Sequence, residues 1–367
     1  MKFSVVKKDF LKAANQCSRT IEKVPRLPMY SMILIELSDQ ELKLTGSNGI
    51  TTIRSSVPKD SFKCMEPGSI CVECRHLCGF LSKMDDGLIT CEYSDTKFVI
   101  STDYGKFNIA SADKSEYPNL DFEIAENEIG FEFEEFCNAV RSVMVCTFEN
   151  QQRPILGGVN ISSNCGKVNV GASDGKRCHI YTFTCIGMDD MDITIPKKTC
   201  NEVINIFEDQ VKIFYNDKKI QFINDELYFS SGLLNGKFPD LSHIIPDETH
   251  DIACMNSIDV IGAVDRSRSI INEDKIQIIK LDFKDSVRFS SVQIGVASTD
   301  EILKHSMKVS DDDFNINLNA KHLKDAIISI NSEEFILEKK SGMKPIMIRS
   351  KSNEKLKCIL TPIRVWE

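Results

Sequence analysis

The sequence predicts an α+β fold made of three tandem copies of one unit of about 122 residues, each with two helices on mostly antiparallel sheets. Three observations carry this. The first is self-similarity. Asp9-Phe10-Leu11-Lys12-Ala13-Ala14 matches Glu135-Phe136-Cys137-Asn138-Ala139-Val140, 126 residues further on, and the match runs without gaps for about forty residues. Along it Pro28 meets Pro154, Ile33 and Ile35 meet Val159 and Ile161, Leu42 and Leu44 meet Val168 and Val170, and Asn48-Gly49 meets Asp174-Gly175. A third copy opens at Asp259-Val260-Ile261-Gly262-Ala263-Val264. The second observation is a hydrophobic period that switches between that of a helix and that of a strand within every copy. The third is composition: 42% hydrophobic and 27% charged over 367 residues, with only 18 glycines and 11 prolines, which excludes collagenous or Pro/Gly-rich disordered chains.

The elements follow in order. Met1–Val6 alternates as a strand. Residues 7–20 carry Phe10, Ala13, Ala14 and Cys17 on one helical stripe. Met29–Leu37 and Glu41–Thr45 form a hairpin pattern across Ser38-Asp39-Gln40, and Leu88–Tyr93 with Lys97–Thr102 form another across Ser94-Asp95-Thr96. Six helices are expected, at 7–20, 72–83, 134–146, 197–207, 257–270 and 320–329; in each copy the second contains one of Arg75-His76-Leu77, Lys198-Thr199-Cys200 and Lys321-His322-Leu323, spaced by 123 residues. The first two copies close on Glu116-Tyr117-Pro118-Asn119-Leu120 and Lys237-Phe238-Pro239-Asp240-Leu241. Domains are therefore expected at 1–121, 128–247 and 253–367, parted by the acidic, turn-prone stretches Asp121–Asn127 and Pro246–Ile252.

Function classes narrow by exclusion. No apolar run of 18 residues suits a membrane span, and Lys7-Lys8-Asp9 stand where a signal peptide needs an apolar core, so a soluble cytoplasmic protein is expected. The 14 cysteines, scattered from Cys17 to Cys358, then read as reduced and mostly buried thiols. A zinc site at Cys71-Val-Glu-Cys74-Arg-His76-Leu-Cys78 is disfavoured, because a helix there points Cys74 and Cys78 away from His76, and structural zinc pairs usually sit on knuckle turns with a second distant pair. There is no GxGxxG and no GxxxxGK[ST]. Gly171-Ala172-Ser173-Asp174-Gly175 fits GxSxG, but a nucleophile elbow needs a helix next and Arg177–Thr184 reads as a strand. The run Asp311-Asp312-Asp313 lacks the spaced ligands of a calcium loop and reads as a solvated turn before a strand at Phe314–Leu318. Neither a cofactor nor a metal is expected.

The net charge of -9 taken alone argues against nucleic acid. Its distribution reverses that: the six expected helices hold 13 Lys or Arg against 8 Asp or Glu, a net of +5, leaving -14 for strands and loops.

Four further stretches identify a relative. Arg153-Pro154-Ile155-Leu156-Gly157-Gly158-Val159, Ala172-Ser173-Asp174-Gly175-Lys176-Arg177, Gly236-Lys-Phe-Pro239-Asp240 with Ile245-Pro246, and Leu360-Thr361-Pro362-Ile363-Arg364 occur in the order found in the bacterial DNA polymerase III beta subunits, the processivity sliding clamps. The chain resembles that family over its whole length. The resemblance implies three clamp domains forming half of a closed ring, a head-to-tail homodimer around duplex DNA. It also implies as partners the replicative DNA polymerase catalytic subunit, the clamp loader and other proteins that carry a clamp-binding motif. Two alternatives compete with it: a repeat scaffold that binds proteins without DNA, and a hydrolase using Ser173.

By the family's pattern, Lys12, Arg75, Lys83, Asn150, Lys197 and Lys198 line the ring. Where the family often has an Arg before the Pro of its first loop, this chain has Val24-Pro25, with Arg26 or Lys23 as substitute. At the subunit joint, Phe107 and Ile109 are expected against Ile270 and Ile271 of the partner subunit, with Lys106 facing Asp300 or Glu301. The partner-peptide pocket is expected at Leu156, Ser173, Gly175, Lys176, Arg177, Cys178, Pro239, His243, Ile244, Asn319, His322, Met343, Ile359, Thr361, Pro362, Ile363 and Arg364. His243, Cys178 and Thr361 replace the family's usual Arg, Leu and Met or Leu, and the chain runs on through Val365-Trp366-Glu367.

Overall fold

A computed structural model describes the chain except residues 23, 95–96, 209, 246–248, 270–276, 294–296, 311–312, 340–343 and 365–367. Among the described residues there are six helices, α1 (Lys7–Ser18), α2 (Cys74–Leu81), α3 (Phe133–Val143), α4 (Lys197–Ile206), α5 (Ser257–Arg268) and α6 (Ala320–Ile330), and the strands pair antiparallel. The three copies share an element order of strand, helix, three strands, a strand leading into the second helix, then three closing strands, to which the first and third copies add a short strand, Phe62–Glu66 and Met307–Lys308, before the second helix. None of these helices is long and apolar enough to cross a membrane.

Each helix forms where a stripe of small and apolar side chains meets a polar face. On α1 the buried set is Phe10, Ala13, Ala14 and Cys17, as the stripe predicts. Phe10 meets Phe3 edge-on at 5.8 Å, and each such burial contributes roughly 1.5–3 kcal/mol. The helix lies so close to its sheet that Cys17 Sγ donates to Leu44 O at 3.2 Å, and a Cβ on Gly46 would stand 2.6 Å from Cys17 O. α2 starts two residues later than expected, because Val72 and Glu73 finish a strand and Glu73 then caps the helix by accepting from His76 N at 2.7 Å. Asn256 and Asn319 cap α5 and α6 in the same way.

The chain divides into two compact units. The first comprises residues 1–133 and 198–233, the second 134–197 and 234–367. In the first unit one sheet of 13 strands runs from Asn127–Glu128 to Phe62–Glu66. Its seam lies where the closing strand of the central copy, Leu227–Gly232, pairs with Thr51–Val57 of the first copy, with Phe229 opposite Ile53 and both fully buried. The acidic stretch after residue 121 is packed against this seam: Arg54 lies over the Phe122 ring at 3.3 Å, Phe122 meets Tyr228 at 5.4 Å, and Ala125 N donates to Gln221 Oε1.

The second unit repeats the construction. A sheet of nine strands passes from the central copy into the third where Arg177–Thr184 pairs with the closing strand Leu356–Leu360, with Cys178 opposite Ile359. A separate sheet of four strands ends on Ala297–Ile302. The joining rule is the same in both seams: the third strand after a copy's first helix accepts the last strand of the following copy.

All 14 cysteines are free thiols, nine of them buried, and burial pushes the Cys17 thiol up to about 12. Cys71 lies in the core beside Leu34 and Tyr117, whereas His76 is mostly exposed and pairs with Glu73, so the sequence's four-ligand stretch does not converge.

Candidate functional site

The GxSxG stretch folds as a strand-to-strand turn. Ser173 Oγ donates to Arg177 O at 2.9 Å and accepts from Gly175 N at 3.1 Å, while Asp174 Oδ1 accepts from the amides of Lys176 and Arg177. Gly175 sits at φ +83°, and its counterpart Gly49 in the first copy at +85°, the left-handed region that glycine enters without steric cost. Ser173 is buried at 5% exposure with its hydroxyl spent on the turn, and no helix raises it as a nucleophile.

Arg177 behind the turn is buried as well. Its Nε donates to Asp174 Oδ2 at 3.0 Å, Nη1 to Asp325 Oδ2 on α6 at 2.7 Å, and Nη2 to Val145 O at 3.1 Å. This side chain therefore couples the central copy to α6 and is not free for a ligand. His322 on α6 lies 3.8 Å from Asp174 Oδ2, and burial holds its pKa below the usual imidazole range. The Asn319 amide is occupied in capping α6.

On one sheet face, strand alternation brings Cys178, Ile180, Met347 and Ile359 into one apolar cluster, with Leu241 and Ile245 packed on it. The segment Thr361–Arg364 is tied to both sides of this region, Thr361 N donating to Lys176 O and Ile363 N to Asn317 O. Pro362 and Ile363 are half-buried; Gly175, Lys176, Pro239, His243, Ile244, Thr361 and Arg364 are exposed, His243 beside Asp240. Leu156 is a core side chain at 5% exposure, and Met343 lies outside the described residues. Sequence reading missed Ile180, Met347, Leu241 and Ile245. The signal was present in the two-residue step from Cys178 to Ile180 and the four-residue step from Leu241 to Ile245.

The expected lining cations behave differently from one another. Lys12 pairs with Glu226 at 3.1 Å. Arg26, Arg75, Lys83 and Lys198 are exposed, Lys197 is half-buried, and none of these makes an ion pair among the described residues. Asn150 Oδ1 accepts from Gln152 N in its loop. Other helix cations are neutralised locally: Arg19 by Glu202, Arg266 by Glu301 and Lys324 by Asp265.

Among the strand edges left open in the described residues, two belong to the series that forms the seams. Gly105–Ala112, the closing strand of the first copy, pairs with Lys97–Thr102 through residues 105–110, and on its other side only Ser111 and Ala112 find partners. Ala297–Ile302, the third strand after α5, pairs among the described residues on one side only, with Val287–Gln293. Phe107 is half-buried, 5.6 Å from Phe80 and 6.4 Å from Tyr104, whereas Ile109 is a core residue at 2% exposure. Lys106 is exposed, but Asp300 already meets Arg288 at 3.3 Å and Glu301 meets Arg266, so neither carboxylate is waiting for it. Ile270 and Ile271 lie outside the described residues.

Three family models match in tandem: the N-terminal domain of the DNA polymerase III beta subunit over residues 1–121, its central domain over 119–240 and its C-terminal domain over 242–364. The beta sliding clamp of Bacillus subtilis strain 168 is 23% identical over 379 aligned residues, covering 100% of both chains, and that of Streptococcus pneumoniae serotype 4 is 24% identical over 99% of each. The crystal structure of the Bacillus subtilis DNA polymerase sliding clamp superposes with a TM-score of 0.92 at 23% identity, covering 100% of each chain. A Pseudomonas aeruginosa sliding clamp bound to griselimycin superposes equally well at 20% identity, again over the full length of both.

Proposed function

The chain belongs to the DNA polymerase III beta subunit family, and from that premise we propose that it is a non-catalytic processivity factor. Two copies close head to tail around duplex DNA, a clamp loader opens and closes that ring, and the replicative polymerase and other motif-bearing proteins dock by a short peptide at the cluster around Cys178 and Ile359. The domain limits that go with this reading are 1–121, 128–247 and 253–367.

One observation carries the ring: the pair of strands that the joining rule leaves over both have an open edge. The first copy's third strand takes the central copy's last strand, and the central copy's third strand takes the third copy's last strand. The third copy's third strand, Ala297–Ile302, and the first copy's last strand, Gly105–Ala112, are the remaining members of that series. A second copy of the chain supplies each with its missing neighbour, which removes every such edge from solvent.

The electrostatics suit sliding. Unpaired exposed cations such as Arg75, Lys83 and Lys198 attract phosphate without reading bases, and the pairs at Lys12, Arg266 and Lys324 keep that attraction modest. Topology, not grip, then holds the DNA. The test is retention on a nicked circular plasmid after loading. The protein is expected to stay on the circle through a high-salt wash and to be lost when the DNA is linearised. Equal retention on both forms would refute encirclement and favour ordinary binding, and no retention on either would favour a protein-only scaffold.

A further inference from the structure

Next to the apolar cluster, a face of the central copy's sheet holds a cavity of about 670 Å³. Its floor is the polar side of the strands Gly158–Asn164, Lys167–Ser173 and Arg177–Thr184, and one wall is the segment from Lys237 to Ile245. That segment also carries Pro239 and Ile244 of the peptide site and packs Leu241 and Ile245 on the apolar cluster, so the two regions share a wall. The close approach of Leu241 is built in: a Cβ on Gly171 would stand 2.7 Å from Leu241 Cδ1.

The polar groups of this cavity are unequally engaged. Lys167, Lys237 and Lys357 make no ion pair or side-chain hydrogen bond among the described residues, and Lys355 alone is paired, with Glu135. Of the three acids, Asp192 accepts from Asn160 and Asp240 caps the short turn at Ser242, while Glu354 at the rim makes no ion pair or side-chain hydrogen bond among the described residues. Ser163, 5% exposed, has a buried hydroxyl with no partner. Three free ammonium groups thus stand against one free carboxylate, so donors are in excess, and the matching occupant is rich in acceptors and negatively charged.

We propose that this cavity is a second docking site for partner proteins, which receives an acidic stretch flanking the anchor peptide and thereby ranks partners by the charge of that flank. The proposal rests on the peptide-site reading, since continuity across the shared wall is what joins the flank to its anchor. Carboxylates meeting Lys167, Lys237 and Lys357 gain affinity through tethering, because the anchor has already brought the flank within reach. The interaction is a screened one, so it belongs to low and moderate salt.

The test measures binding of fluorescent peptides to the full-length chain. One peptide carries a Gln and a Leu-Phe anchor with neutral flanks, and two others add about four glutamates before or after the anchor. One of the acidic peptides is expected to bind at least about five-fold tighter than the neutral one at about 50 mM salt. That advantage should vanish in the Lys167→Glu, Lys357→Glu double variant and at about 500 mM salt. Neutral-peptide affinity should be the same in wild type and variant, which also reports an intact fold. If neither acidic peptide gains, or if the gain survives the double variant, the second site is overturned while the anchor site stands. If the neutral peptide itself fails to bind wild type, the peptide-site reading fails and the proposal with it.

Discussion

His179 gives the second unit a defined sensitivity to acid. It lies on Arg177–Thr184, fully buried, with Nδ1 2.9 Å from Ser142 O and Nε2 buried without a partner among the described residues. The neutral ring donates from Nδ1, and a proton on Nε2 would find no acceptor. Burial accordingly lowers its pKa from 6.5 to about 4. As pH falls below 6.5 the unfolded chain takes up this proton and the folded chain does not, so stability present above 6.5 is lost progressively down to about pH 4. A shift of that size corresponds to roughly 3 kcal/mol in full and roughly 2 kcal/mol by pH 5, a substantial fraction of a typical domain's 5–15 kcal/mol. The assay is urea unfolding of wild type and His179→Leu at pH 7.5 and pH 5. Leucine removes the titration and costs a constant amount at both pH values, so only the pH-dependent difference matters. Wild type should lose about 2 kcal/mol more than the variant on going to pH 5. Equal losses, or an NMR titration of His179 near 6.5 in the folded chain, would refute the argument.

Three other perturbations have clear directions. Gly46→Ala places a Cβ against the Cys17 carbonyl of α1, a backbone atom that cannot rotate away, and should cost about 1–3 kcal/mol in unfolding free energy. Phe107→Asp puts a carboxylate on the open edge, where pairing with a second copy would leave it buried and unpaired; sedimentation should show folded monomers in place of dimers. Ile363→Ala trims a half-buried apolar side chain beside the peptide cluster and should weaken an anchor peptide by about 1–2 kcal/mol, roughly 5- to 30-fold, in a fluorescence titration.

What was legible in the sequence is what depends on neighbours along the chain. The Phe10-Ala13-Ala14-Cys17 stripe placed α1 to within two residues of its end, and the repeat offset placed matching left-handed glycines at 49 and 175. The start of α2 was misplaced because Val72 and Glu73 are compatible with either a strand or a helix; the strand wins by pairing with Met32 and Ile33, which a local window does not see. Edges and ion pairs are non-local in the same sense. Nothing near Ile53 announces Phe229 across the seam, and nothing near Lys12 announces Glu226. The positive balance of the helices was readable, but which cations remain free was not. For the proposed peptide region, the family resemblance pointed to Cys178 and Ile359, while the packing of Met347 emerges only when its strand pairs beside Ile359.

The joining rule also bears on how the proposed ring, which must hold DNA, can be opened at all. The two seams within the chain each consist of five residue pairs in antiparallel register. In the proposed dimer a third seam of the same kind forms between copies, so nothing in its construction marks it as the weak one. The difference is covalent. Within a chain the two strands meet at an effective concentration of order millimolar, whereas two copies at nanomolar concentration meet about a million times less often. That factor is worth about 8 kcal/mol of apparent stability. Identical contacts can therefore be permanent inside the chain and reversible between chains, and a loader needs to act only on the latter. The consequence is measurable by dilution. A dimer that comes apart while circular dichroism and amide exchange at Phe229 and Cys178 stay unchanged fits this account. Loss of protection at the internal seams in step with dissociation would mean that the three joints form one cooperative structure and that the covalent explanation is wrong.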